Sequence, residues 1–179
     1  MPEPAENYRP QSAVKDFRKR AVKAWLMGLA VVSAWVFLIL AAPVFAASGL
    51  EGFSGPLYGF FSYLCHQIPE RSFHLDGHAL AVCSRCFGVY FGLVAGFAAY
   101  PFFRPVEETE PLARFWLFLS LVPISVDWSL GVFGIWENTH LSRSVTGAIL
   151  GAMCAVFIIP ALAELAQLLT GKTALKKAV

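Results

Sequence analysis

Residues 24–46 read AWLMGLAVVSAWVFLILAAPVFA, with no charged or amide side chain anywhere in the run. At about 1.5 Å per residue, a helix of that length exceeds the roughly 30 Å hydrocarbon core of a bilayer. Working outward, three further stretches have the same character, at about 86–103, 113–131 and 144–169. The chain is 179 residues long, 57% hydrophobic and 15% charged, where a soluble domain would carry about a quarter charged residues. The expectation is an all-α integral membrane protein with four transmembrane helices. Residues 24–169 form a single membrane domain between a basic tail at 1–23 and a second tail at 170–179. A cleaved signal is the competing account of the first run, because Val44-Phe45-Ala46 resembles a cleavage site. The run is longer than the 7–15 residue core of such signals, which favours an uncleaved anchor.

Lys and Arg set the orientation. Arg9, Lys15, Arg18, Lys19, Arg20 and Lys23 precede the first span, Arg104 and Arg114 lie between the second and third, and Lys172, Lys176 and Lys177 follow the fourth. Positive-inside counting therefore puts both termini in the cytoplasm (N-in, C-in) and leaves only Arg71, Arg85 and Arg143 outside. The membrane is then the cytoplasmic (inner) one, and the loop 47–85 is extracytoplasmic. A shorter apolar piece, Phe53 to Leu64, is too short to cross. Its aromatic residues suit an interfacial or re-entrant helix, with Ser54 and Pro56 as a start signal.

Two spans carry small residues at four-residue spacing: Gly88, Gly92 and Gly96 in the second, and Gly147, Gly151 and Ala155 in the fourth. Such faces let helix backbones approach closely in lipid. They predict tight packing of these two spans, within one chain or between copies as a homo-oligomer.

The chemistry-bearing residues cluster. Three of four cysteines lie in Cys65-His66-Gln67 and Cys83-Ser84-Arg85-Cys86. Between them Asp76-Gly77 separates two short alternating runs, a strong two-residue hairpin signal that pairs Leu75 with His78 and Phe73 with Leu80. The hairpin brings its ends, and so the cysteines, together. Its tip histidines, His74 and His78, are left more than about 12 Å away at about 3.3 Å per residue. Cys83 and Cys86 share a face if they open a helix. With Cys65 and His66 they make a Cys3His set of the kind zinc takes, and copper(I) also favours thiolates. His140 is the other histidine considered. Arg71 and Arg85 would offset thiolate charge. The same atoms permit a redox account, in which Cys83 and Cys86 exchange with Cys65 and pass electrons to a quinone. They also permit a plain disulfide beside one buried thiol. Cys154, inside the fourth span, reads as a packing residue.

A second polar group surrounds Asp127, a carboxylate inside the third span and therefore expected to face the bundle interior. Arg143 is its expected partner, with Glu137, Asn138, His140, Ser142 and Thr146 nearby. A small transporter or channel using Asp127 and Arg143 is the third functional class. The small net charge of +2, without a basic stripe outside the tails, argues against a nucleic-acid partner. Walker, Gly-x-Ser-x-Gly and His-Glu-x-x-His motifs are absent, which leaves nucleotide and hydrolase chemistry without support.

At Cys65-His66-Gln67-x-Pro69-Glu70-Arg71-Ser72-Phe73 and Cys83-x-Arg85-Cys86-x-Gly88-x-Tyr90-x-Gly92 the chain resembles a family of small bacterial and archaeal predicted integral membrane proteins of unknown function. A looser match continues through Asp127, Asn138, Arg143, Thr146 and Gly147. The resemblance implies that Gln67, Arg71, Arg85 and Tyr90 belong with the cysteines, and implies no reaction.

Overall fold

The computed structural model describes residues 11–177, with side chains described over 14–169. The N-terminal ten positions, including Arg9 of the expected basic tail, lie outside the described residues. Five helices carry the fold: α1 (Gln11–Ala47), α2 (Glu51–Ser62), α3 (Ser84–Phe103), α4 (Phe115–Val132) and α5 (His140–Lys177). Between α2 and α3 lie a single 3-10 turn, Pro69–Arg71, and a hairpin of β1 (His74–Leu75) and β2 (His78–Ala79). Four helices are long and apolar enough to span, over Val14–Ala47, Ser84–Phe103, Phe115–Val132 and His140–Leu169. Among the described residues, helix covers 11–23 in α1 and 170–177 in α5.

Each spanning helix contains a proline: Pro43, Pro101, Pro123 and Pro160. A proline lacks the N–H that would bind the carbonyl four residues back, and in lipid that carbonyl needs another donor. At Pro101 the donor is visible: the freed Phe97 carbonyl accepts a 2.9 Å hydrogen bond from Trp25 Nε1 of α1. The kink-prone position thus becomes a joint between α1 and α3. Around it Phe97, Tyr100, Ala155 and Ile159 form one buried cluster.

The small-residue faces meet within the chain. A methyl group on Gly88 or Gly92 would collide with the α5 backbone at Ser144 or Ala148. One on Gly147 or Gly151 would collide with the α3 carbonyls of Arg85 or Val89. On Gly96 it would stand 2.7 Å from Ala155 Cβ. Both stripes are therefore consumed by the α3–α5 seam, and neither is left for a second copy. Of the two expected arrangements, packing within one chain is the one formed, and an oligomer through these faces is not supported.

The short apolar helix also differs from expectation. α2 begins at Glu51 rather than Ser54, and Pro56 falls inside it. It runs antiparallel to the end of α1: the Phe45 and Phe53 rings lie 5.8 Å apart, and those of Trp35 and Phe61 5.4 Å. The link between the two helices is short, residues 48–50. This return carries the chain from the tip of α1 back to the start of α3.

The hairpin has the expected register, His74 with Ala79 and Leu75 with His78. Asp76 (φ 49°) and Gly77 (φ 82°) both take the left-handed conformation that a two-residue hairpin turn requires. Leu80 N–H donates to the Phe73 carbonyl at 2.8 Å, closing the pair below the strands. Leu80, Ala81 and Val82 then bury against Ile39, Ala42, Phe61 and Cys65. The strands are a spacer; the buried segment after them is the anchor.

Candidate metal centre

Cys65 follows α2 by three residues, and its N–H still bonds the Phe61 carbonyl at 2.9 Å, so the end of α2 fixes its position. Cys83 is the N-cap of α3, with φ −66° and ψ 160°, and Cys86 sits in the first turn. The N-cap and that position lie on one helix face, and a helix N-terminus favours negative charge on both sulfurs. The Cys83 N–H donates to Cys65 Sγ at 3.2 Å. The three Sγ atoms all lie within 4.8 Å of one another. Three sulfurs bound to one ion at about 2.3 Å in tetrahedral geometry would be about 3.8 Å apart. None of the three is in a disulfide.

Hydrogen bonds from the Cys83 and Cys86 thiols pull the Cys65 thiol well below its ordinary range. The backbone N–H groups of Cys83 and Gln67 add to this, against the opposing effect of burial.

Gln67 holds the loop in shape. Its φ of 50° is left-handed, a conformation that non-glycine residues rarely adopt. Its Nε2 donates to the Tyr58 and Ala81 carbonyls, both at 2.8 Å, tying α2 to the segment after β2. Tyr58 Oη reinforces the tie with a 2.5 Å bond to the Ala79 carbonyl. Tyr90 packs behind the cysteines with its ring 5.9 Å from Trp35.

A cavity of about 480 Å3 opens beside the sulfurs, lined by both polar groups of the sequence. Cys65, His66, Gln67, Arg71, Cys83, Arg85, Cys86, Asn138 and Arg143 all border it. His66 is on its wall but outside the group of three sulfurs. His74 and His78 border a separate depression around the hairpin, away from the cysteines. His140 is engaged elsewhere: its Nδ1 lies 2.8 Å from Ser84 Oγ and its ring 5.5 Å from that of Phe73.

Asp127 does not pair with Arg143. Its Oδ2 accepts from Arg85 Nη2 at 2.5 Å, and its Oδ1 accepts from Ser142 Oγ at 2.9 Å. Asn138 Nδ2 donates to the Asp127 carbonyl, and the Asn138 side chain sits where a Cβ on Gly131 would be. Arg85 leaves α3 toward α4, which puts it in reach first. The Asp127–Arg143 ion pair expected from the sequence is therefore not formed, and the charge of Arg85 is committed to a carboxylate rather than to the thiolates.

Sequence reasoning passed over Ser84, which is fully buried. Its Oγ donates to the Arg71 carbonyl at 2.9 Å as well as meeting His140, and its own carbonyl accepts from Ser144 Oγ at 3.0 Å. One hydroxyl thus joins the cysteine loop, α3 and α5. The available signal was its place between Cys83 and Arg85 at the first position of a helix, where a small polar side chain has backbone groups to satisfy.

Four apolar helices and a thiol cluster at one end of the bundle define a class, the multi-pass membrane protein with a cysteine site. Residues 65–157 match the family model described as predicted membrane protein DUF2085, and the chain belongs to that family. An uncharacterised protein of Methanocaldococcus jannaschii is 37% identical over 109 residues, covering 61% of this chain and 70% of its own length. An uncharacterised protein of Methanothermobacter thermautotrophicus is 38% identical over 96 residues, 54% of this chain and 85% of its own. No solved structure matches the chain.

Proposed function

We propose that the protein holds a transition-metal ion on Cys65, Cys83 and Cys86, with a fourth position facing the cavity. The proximity of the three sulfurs carries this reading. A thiol that accepts a backbone N–H bond, beside a helix N-terminus, is prepared to be a thiolate, the form a metal requires. Zinc fits with His66 or a cavity ligand as the fourth donor; copper(I) fits the three sulfurs alone. When bound, the ion supplies Lewis acidity or ligand exchange at the cavity. The residues of the chain do the rest: Gln67 fixes the loop, Ser84 joins it to α3 and α5, and Arg85–Asp127 holds α4 alongside. In the proposed orientation, N-in and C-in in the cytoplasmic membrane, the centre is extracytoplasmic, which the Lys and Arg distribution supports. Membrane-impermeant thiol alkylation tests both parts. Labelling of Cys83 and Cys86 in intact cells should rise several-fold after chelation. Rapid labelling without a chelator would count against the metal, and labelling only after lysis would count against the orientation.

The close approach of all three sulfurs also favours a second reading, thiol–disulfide exchange. Two thiols, Cys83 and Cys86, would close to a disulfide, releasing two protons and delivering two electrons to a membrane quinone, with Cys65 as the exchanging thiol. A disulfide that forms on adding a quinone, with one quinol produced per bond, would support it over the metal.

A further inference from the structure

The cavity beside the cysteines is unequally charged. Arg71, Arg85 and Arg143 all line it, and Arg143 lies within electrostatic reach of both other arginines. Asp127 is already taken by Arg85 and Ser142. Among the described residues, Arg71 and Arg143 have no carboxylate partner. Two guanidinium groups near a third, at the edge of a low-dielectric bundle, repel one another unless an anion joins them. A guanidinium presents forked donors that match phosphate and carboxylate oxygens. With a divalent ion the cysteines cancel only part of the charge: three thiolates around it carry one net negative charge against the two positive charges of Arg71 and Arg143. Part of the wall is apolar and open. Leu64, Ile68, Trp128 and Val132 line the same cavity, and all four are exposed. A cationic floor beside an apolar, open wall suits a ligand with an anionic head and an apolar body.

We infer that the cavity is a binding site for a phosphate-type oxyanion, held by Arg71 and Arg143, with the headgroup of an anionic phospholipid as the occupant that its apolar wall favours. Trp128 and Val132 on one side and Leu64 and Ile68 on the other flank the acyl chains. The site goes beyond the metal reading and stands without it, because no cysteine contributes a required contact.

Native mass spectrometry of the detergent-purified full chain tests this, with phosphatidylglycerol and phosphatidylcholine offered at equal concentration. The expected result is one retained phosphatidylglycerol per chain, preferred at least tenfold over phosphatidylcholine. Arg143→Gln and Arg71→Gln should each remove most of that preference, Arg143→Lys should keep part of it, and Cys154→Ser should leave it unchanged. A parallel arm adds inorganic phosphate alone and follows the thermal transition. A saturable upward shift that Arg143→Gln abolishes, without lipid preference, would support the oxyanion site and assign it to a free anion. Equal retention of both lipids by wild type and Arg143→Gln, with no phosphate effect on either, would overturn the proposal. Loss of the lipid preference in Arg143→Gln with metal content unchanged would show that the two sites fail or survive separately.

Discussion

α3 and α4 both reach α5, and they do so by opposite means. The α3–α5 seam is backbone against backbone: glycines stand where any side chain would strike a carbonyl of the facing helix. The α4–α5 flank is held by polar groups at one end, namely Asp127 with Arg85 and Ser142, and Asn138 with the Asp127 carbonyl. Ser120 is the buried residue of α4, while Phe115, Phe118, Val126 and Trp128 are among its exposed apolar side chains. Close packing that repeats at every turn fixes a helix along its length. Polar contacts at one level fix only that level. Cys83, Cys86 and Arg143 sit at the start of the tightly packed pair, whereas the side of the cavity that α4 supplies depends on a few hydrogen bonds.

The largest effect should come from breaking the seam. Gly151→Leu forces the helices apart and should prevent folding to a stable form, read as loss of the monodisperse detergent-solubilised protein. Gly52→Leu, where a Cβ meets nothing, should be tolerated and serves as the control.

Next in size is the flank. Arg85→Gln leaves the Asp127 carboxylate, 9% exposed, without its counter-charge and should cost about 3 kcal/mol. Asp127→Asn strands the guanidinium instead, at a smaller cost because Arg85 is 23% exposed and reaches water more readily. Arg85→Gln combined with Asp127→Asn should recover part of the loss, and a thermal double-mutant cycle measures the coupling. Simple additivity would mean that the pair does not hold α4. Arg143→Gln should barely change stability, whereas the pairing expected from sequence would make it as harmful as Arg85→Gln.

Gln67→Ala should cost about 1–3 kcal/mol, since it leaves the Tyr58 and Ala81 carbonyls without their donor. It should also loosen the cysteine group, read as faster alkylation of Cys65. The smallest effect is expected at Cys154, half-buried within α5 and remote from the trio. Cys154→Ser should leave metal content unchanged.

Legibility in the sequence follows the same division. The glycine stripes and the four spans could be read directly, because hydropathy and four-residue spacing are local signals. The cysteine group was readable because Asp76-Gly77 fixes a hairpin and so the meeting of its ends. The partner of Asp127 was not readable. Arg85 and Arg143 are both near the same end of the bundle, and the choice between them depends on how α4 is rotated, which Ser142 and Asn138 decide through contacts made only in the folded chain. The antiparallel course of α2 was half readable: a short link permits a return, but the composition of α2 equally suits an interface. Ser84 was hidden because its partners, Arg71 in the cysteine loop and His140 and Ser144 in α5, are distant from it in the sequence.

The account rests on the three sulfurs binding one ion. The decisive measurement is metal per chain, by elemental mass spectrometry on protein purified without chelators, with Cys65→Ser and Cys154→Ser prepared in parallel. The account predicts close to one zinc or copper per chain in wild type and Cys154→Ser, and a loss of most of it in Cys65→Ser. Metal-free wild-type protein, or equal metal in all three, would contradict it.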